Sequence, residues 1–142
     1  MRKGFQRTGT ILHLVGNLLQ ILSFLLLLPL VVVFVYWGRL GDGMGTVAAF
    51  VVPAAISFSL GLVLMHRFEG GELGTQGSML MCAVGWLCVS AIGALPYVIG
   101  VGSGYLNAYF EAMSGFTTTG ITVFSGLDKM PRSILFWRAF TQ

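Results

Sequence analysis

The sequence predicts an all-α integral membrane protein: three membrane helices, a short re-entrant helix with an extended return loop, and the truncated start of a further membrane helix. Three observations carry that prediction. Hydrophobic residues make up 56% of the chain and charged residues only 9%, whereas soluble domains average about 25% charged. Three apolar runs each reach the roughly 20 residues needed to cross a hydrocarbon core. The stretch NAYFEAMSGFTTTGITV, at 107–123, follows the third run and is too short and too broken by polar residues to cross by itself.

Residues 1–76 are predicted to form an N-terminal tail, two leading membrane helices and a loop. Arg2, Lys3 and Arg7 precede an apolar run over 11–37. A secretory signal begins the same way, but its apolar region covers only about 7–15 residues, so this run reads as a membrane helix. Pro29 predicts a kink, and Tyr36 with Trp37 falls where aromatic side chains anchor at a membrane interface. His13, Asn17 and Gln20 are spaced four and three apart and share one helical face. They read either as a polar seam facing an ion path or as hydrogen-bonding glue between helices, worth about 1 kcal/mol per contact. The second reading is the one adopted.

GRLGDGMG, at 38–45, reads as a turn, and the second helix follows over 46–65 with Pro53 in its first half. The loop to 76 carries Arg67, Glu69, Glu72 and three glycines. Lysine and arginine placement sets orientation, and the N-terminal basic cluster puts the N-terminus in the cytoplasm. The 38–45 turn then lies outside, the 66–76 loop inside and 107–123 outside.

Residues 77–142 read as an incomplete unit of membrane helix, short helix with loop, and membrane helix. Its first helix covers 78–99, with Pro96 near the end. Cys82 and Cys88 make neither a CxxC nor a metal-binding spacing and are expected to be free, buried thiols. Gly100, Gly102 and Gly104 read as a flexible link, because a nucleotide-binding glycine pattern needs a preceding strand.

The re-entrant helix is placed at 107–115, with Gly115 stopping it in the left-handed conformation common at helix C-termini. Thr117, Thr118, Thr119, Gly120 and Ile121 then run outward as extended backbone. A helix C-terminus carries about half a negative charge, and extended residues beyond it can turn carbonyl oxygens toward an axis to replace an ion's hydration shell. Irregular backbone at membrane depth is tolerated only where protein buries it or water lines it. The residue order therefore describes a pore helix followed by a selectivity-filter loop for a cation.

EAMSGFTTTGITV, followed by LDKMP and SILFWRAFTQ and preceded by ALPY, resembles the membrane subunit of the Trk and Ktr potassium-uptake systems, related to plant HKT transporters. The resemblance implies four linked repeats of membrane helix, pore loop and membrane helix around one ion path. This chain would supply the N-terminal part, with the filter glycine of the first repeat at Gly120 and Thr118, Thr119 and Ile121 beside it. The implied substrate is potassium, taken up across the bacterial cytoplasmic membrane and held by filter backbone instead of a side-chain metal site, without a cofactor. Implied partners are membrane lipid, the remaining repeats, a second copy in a homodimer and a cytosolic nucleotide-binding regulatory subunit.

Glu111 is the only acid between Glu72 and Asp128. Acids at membrane depth are costly, so a partner is expected: backbone behind the filter, or Arg138. Ser125 to Arg132 reads as an exposed turn, Ser133 as the N-cap of the next helix, and 133–142 as the start of that helix. No enzyme constellation emerges, since His13 and His66 fall at the opposite membrane face from the threonines. Basic residues are scattered, which argues against nucleic acid. The alternative reading is a small non-conducting membrane protein, or truncated remnant, that packs against a membrane partner.

Overall fold

The computed structural model describes residues 2–39 and 42–142, with side chains from residue 7 onward. Among these residues the chain is helical with no strand. Helix α1 (Arg2–Leu25) places Ile11, Val15, Leu19 and Leu22 on one buried face at spacings of four, four and three, the periodicity of a helical stripe. That face packs on α3 (Met44–Arg67), whose buried residues Thr46, Phe50, Pro53, Ser57 and Gly61 form the matching stripe.

The two helices run antiparallel and nearly touch backbone to backbone. A Cβ on Gly61 would lie 2.9 Å from the Gly16 carbonyl oxygen, so glycine at both positions permits the approach. Around this contact Ser57 Oγ donates to the Leu19 carbonyl (2.7 Å), Gln20 Nε2 to that of Phe58 (3.0 Å) and His13 Nδ1 to that of Phe68 (2.8 Å). His13 and Gln20 thus act as interhelical glue, as their spacing suggested.

Pro29 ends α1 and starts a separate short helix, α2 (Pro29–Val35). Proline lacks an N–H and its ring crowds the carbonyl four residues back. The intervening chain tightens to i→i+3 bonds, Leu27 N–H to Phe24 and Leu28 N–H to Leu25. Pro53, by contrast, is accommodated inside an uninterrupted α3.

The third membrane segment is two helices, α4 (Thr75–Gly93) and α5 (Leu95–Val101), where one was expected over 78–99. Pro96 is the reason. The break at Ala94 diverts the Tyr97 N–H to the Ala94 carbonyl, three residues back, and frees that of Gly93, which accepts the Trp137 indole N–H at 3.1 Å. Gly100 belongs to α5 instead of a flexible link, and a Cβ there would meet Ile134 at 2.8 Å. Only Gly102, left-handed at φ 67°, and Gly104 lie between helices. Cys82 is exposed, not buried, and Cys88 is half-buried.

Helix α6 (Tyr105–Phe116) packs on α4, and α7 (Arg132–Thr141) closes the fold against α2 and α6. Fully buried Trp137 sits at the centre, edge-on to Phe50 and Phe116 and stacked on Phe140. Ser133 is not the N-cap of α7. Pro131 takes that position, and Asp42, from the 38–45 turn, accepts the N–H groups of Arg132 (2.9 Å) and Ser133 (3.4 Å) and the Ser133 hydroxyl. A carboxylate there satisfies donors the first helical turn leaves open and complements the positive end of the helix dipole.

Arg7–Val35, Met44–Arg67 and Thr75–Val101 are each long and apolar enough to cross a membrane. Their outward positions, Phe24, Val31, Phe34, Val63 and Leu87 among them, remain apolar.

Candidate functional site

The candidate site is the C-terminal end of α6 and the chain that doubles back along it. Helix α6 buries Ala108, Glu111, Ala112, Ser114 and Gly115, a stripe at spacings of three and four that seats it on α4 and α7. It starts two residues earlier and ends one later than the expected 107–115. Gly115 lies inside the helix and does not terminate it. Its lack of a side chain serves packing, because a Cβ would come 2.8 Å from Thr141 Oγ1 of α7.

Termination falls on the threonines. The Thr118 N–H bonds to the Gly115 carbonyl (2.8 Å) and the Thr119 N–H to that of Ser114 (2.9 Å). This paired closure places the residue after the C-cap in the left-handed region. That residue is Thr118, at φ 54°. Left-handed backbone in a β-branched residue is an outlier costing roughly 1–3 kcal/mol, a form of strain that gathers at functional sites. Gly120 is also left-handed, at φ 74°, with open space around it.

The helix-end carbonyls are therefore not unpaired: those of Met113, Ser114 and Gly115 accept N–H groups of Thr117 to Gly120. These bonds turn the donors of 118–120 toward the helix. Among the described residues the carbonyls of Thr117, Thr118, Thr119 and Gly120 accept no hydrogen bond, and all four residues are exposed. The Ile121 carbonyl differs, since it accepts the Ser114 hydroxyl at 2.6 Å. The Thr117 hydroxyl donates to the Met113 carbonyl (2.7 Å) and lies 2.9 Å from that of Thr119.

Behind this segment sits Glu111, 2% exposed. Its Oε1 accepts from Arg138 Nε at 2.6 Å, while Oε2 accepts the Val123 N–H (3.1 Å) and the Thr122 hydroxyl (2.9 Å). Thr122 in turn accepts the Phe124 N–H at 3.1 Å. One carboxylate thus joins α6, α7 and the returning chain. Charge-assisted bonds of this kind are about twice as strong as neutral ones.

The structure thus brings Glu111, Arg138 and the 122–124 backbone together behind 117–121, and sets Gly115 against α7. Sequence reading missed Ser114, Thr122 and Asp42. Ser114 and Thr122 sit in a motif whose signal was spent on the neighbouring TTTG. Asp42, next to a glycine, carries only a turn signal. Among the described residues no cluster of three His, Cys, Asp or Glu side chains forms a metal site.

The family model described as TrkH, cation transport protein, matches residues 46–142. An uncharacterized cation transporter of Methanocaldococcus jannaschii is 35% identical over 133 residues, covering 93% of this chain and 27% of its own length. The Trk system potassium uptake protein TrkH of Escherichia coli K12 is 34% identical over 136 residues, with the same coverage of both chains. The crystal structure of the potassium transporter TrkH from Vibrio parahaemolyticus superposes with a TM-score of 0.83 at 30% identity, over 94% of this chain and 28% of that one. The chain spans about a quarter of the length of these relatives, which are transporters and not enzymes. With three helices of membrane-spanning length, these matches place the chain, as an integral membrane protein, in the TrkH family of cation transport proteins.

Proposed function

We propose that this chain contributes the first filter segment of a Trk-type potassium-uptake transporter in the cytoplasmic membrane. Residues 1–76 form a leading helix pair and 77–142 the first repeat, in which α6 is the re-entrant pore helix and 117–121 the filter. Arg2, Lys3 and Arg7 hold the N-terminus in the cytoplasm, so the filter lies toward the outer face. Potassium is dehydrated by the filter carbonyls, with three further segments contributed by sequence beyond these residues. The homodimer and the cytosolic nucleotide-binding subunit belong to the same reading, on the strength of the family resemblance.

One observation carries the proposal. Among the described residues the carbonyls of Thr117 to Gly120 have no hydrogen-bond donor, on a segment whose N–H groups and flanks are tied to α6. Carbonyls fixed from behind can replace a hydration shell without first breaking bonds of their own. The Ser114 bond to Ile121 makes Ile121 the weakest of the five as an ion ligand and assigns it a positioning part. Glu111, with Arg138, supports the filter from behind.

The test is Gly120→Ser in the complete transporter, expressed in a potassium-uptake-deficient bacterium. Nothing lies near enough to clash with the added side chain, so the effect comes through the left-handed backbone, disfavoured by roughly 1–2 kcal/mol outside glycine. Potassium uptake and discrimination against sodium should both fall at unchanged membrane abundance. Wild-type flux and selectivity would remove residue 120 from the filter.

A further inference from the structure

A cavity of about 610 Å³ opens where the ends of the three membrane-length segments meet. Arg7 begins the first segment, Arg67 ends the second and Gly74 precedes the third. Chain connectivity puts these ends on one side of the membrane, so the cavity sits at headgroup depth. Its size falls within the roughly 300–1,000 Å³ of small-molecule sites.

Its lining carries balanced charge: Arg7 and Arg67 against Glu69 and Glu72. Among the described residues none of the four forms an ion pair. The walls are anchored. His13 Nδ1 holds the Phe68 carbonyl at 2.8 Å, and Gly70 lies so close to the His13 ring that a Cβ would come 3.1 Å from Cδ2. Across the cavity, the Arg7 guanidinium passes Gly77 of α4, with Nε 3.3 Å from where a Cβ would stand.

We propose that this cavity binds the headgroup of a zwitterionic phospholipid of the phosphoethanolamine type. Arg7 and Arg67 take the phosphate, which suits the planar guanidinium fork. Glu69 and Glu72 take the primary ammonium. The acyl chains leave along the apolar outer faces of the spanning helices. A purely anionic headgroup would face two uncompensated carboxylates, and a trimethylated ammonium has no N–H to give them.

The experiment uses the complete transporter, delipidated in detergent. Native mass spectrometry measures retention of phosphatidylethanolamine, phosphatidylglycerol and phosphatidylcholine with identical acyl chains. The wild type should retain phosphatidylethanolamine over both others. Arg7→Gln with Arg67→Gln should weaken it at least about tenfold, as loss of charge-assisted phosphate bonds requires. Glu69→Gln with Glu72→Gln should instead erase the preference over phosphatidylglycerol while keeping phosphate binding. All four side chains are surface-exposed, and unchanged uptake-competent protein serves as the folding control. Equal retention of the three lipids by the wild type would overturn the proposal. So would undiminished phosphatidylethanolamine binding in the arginine variant. Binding of soluble glycerophosphoethanolamine as tight as the lipid's would place the ligand in solution and overturn the assignment to the bilayer.

Discussion

Glu111→Leu and Glu111→Gln should separate the two functions that one carboxylate performs. In the native site Oε1 receives Arg138, and Oε2 receives both the Val123 N–H and the Thr122 hydroxyl. Leucine removes every acceptor. Breaking a buried ion pair from one side costs about 3–5 kcal/mol, and the 19% exposure of the Arg138 side chain, which lets it turn to water, puts this case near the lower figure. The 122–124 backbone itself loses two hydrogen bonds to a charged acceptor, about 3 kcal/mol together at the low end, so its detachment equilibrium rises on the order of 100-fold. Glutamine can keep its oxygen on Val123 and Thr122 while Arg138 turns away, so its effect should stay within about tenfold. The assay is amide hydrogen exchange at Val123 in the detergent-solubilised complete transporter. Adding Arg138→Met to Glu111→Leu should recover thermal stability, since it removes the orphaned charge, but should leave Val123 unprotected. Native exchange at Val123 in Glu111→Leu, or equal effects of leucine and glutamine, would refute the tether.

Three further substitutions each test a single contact or backbone angle. Asp42→Ala should cost about 1–2 kcal/mol, because the first turn of α7 loses its acceptor, and Asp42→Asn should cost less; comparative thermal melting orders the two. Gly61→Val should lower the melting temperature more than Gly45→Val, because it drives α3 off the Gly16 carbonyl whereas Gly45 has open space. Thr118→Gly should relax the left-handed backbone at φ 54° and raise the melting temperature, by up to about 1 kcal/mol of stability; a lower melting temperature would mean the threonine side chain outweighs the strain.

Much of the architecture was legible because it rests on local composition and period. The apolar runs located the three membrane segments, and the four-and-three spacing of His13, Asn17 and Gln20 marked one face, from which Gln20 reaches an α3 carbonyl and His13 that of Phe68 just past the end of α3. The helix at 107–115 was placed to within two residues at either end. Boundaries set by proline were harder. Pro29 and Pro96 both divide a segment while Pro53 does not, and at Pro96 the freed Gly93 carbonyl is taken by Trp137, a partner remote in sequence. The exposure of Cys82 was likewise invisible, because α4 is apolar all round and its sequence does not say which face is covered.

By itself, then, the sequence determined that this is a helical membrane protein with a short helix and a threonine-glycine loop after its third span. Those features follow from hydrophobic length and from residues adjacent along the chain. Only the tertiary structure decided that Asp42 caps a helix about 90 positions later, that Trp137 occupies the Gly93 carbonyl, and that Glu111 ties Arg138 to Val123. It also moved the turn at the end of α6 from Gly115 to Thr118, because Gly115 is needed where α6 meets Thr141. The physical reason is common to all four. A buried polar group or a close backbone approach is specified by its partner, and a partner remote in sequence leaves no periodic trace until packing brings it near.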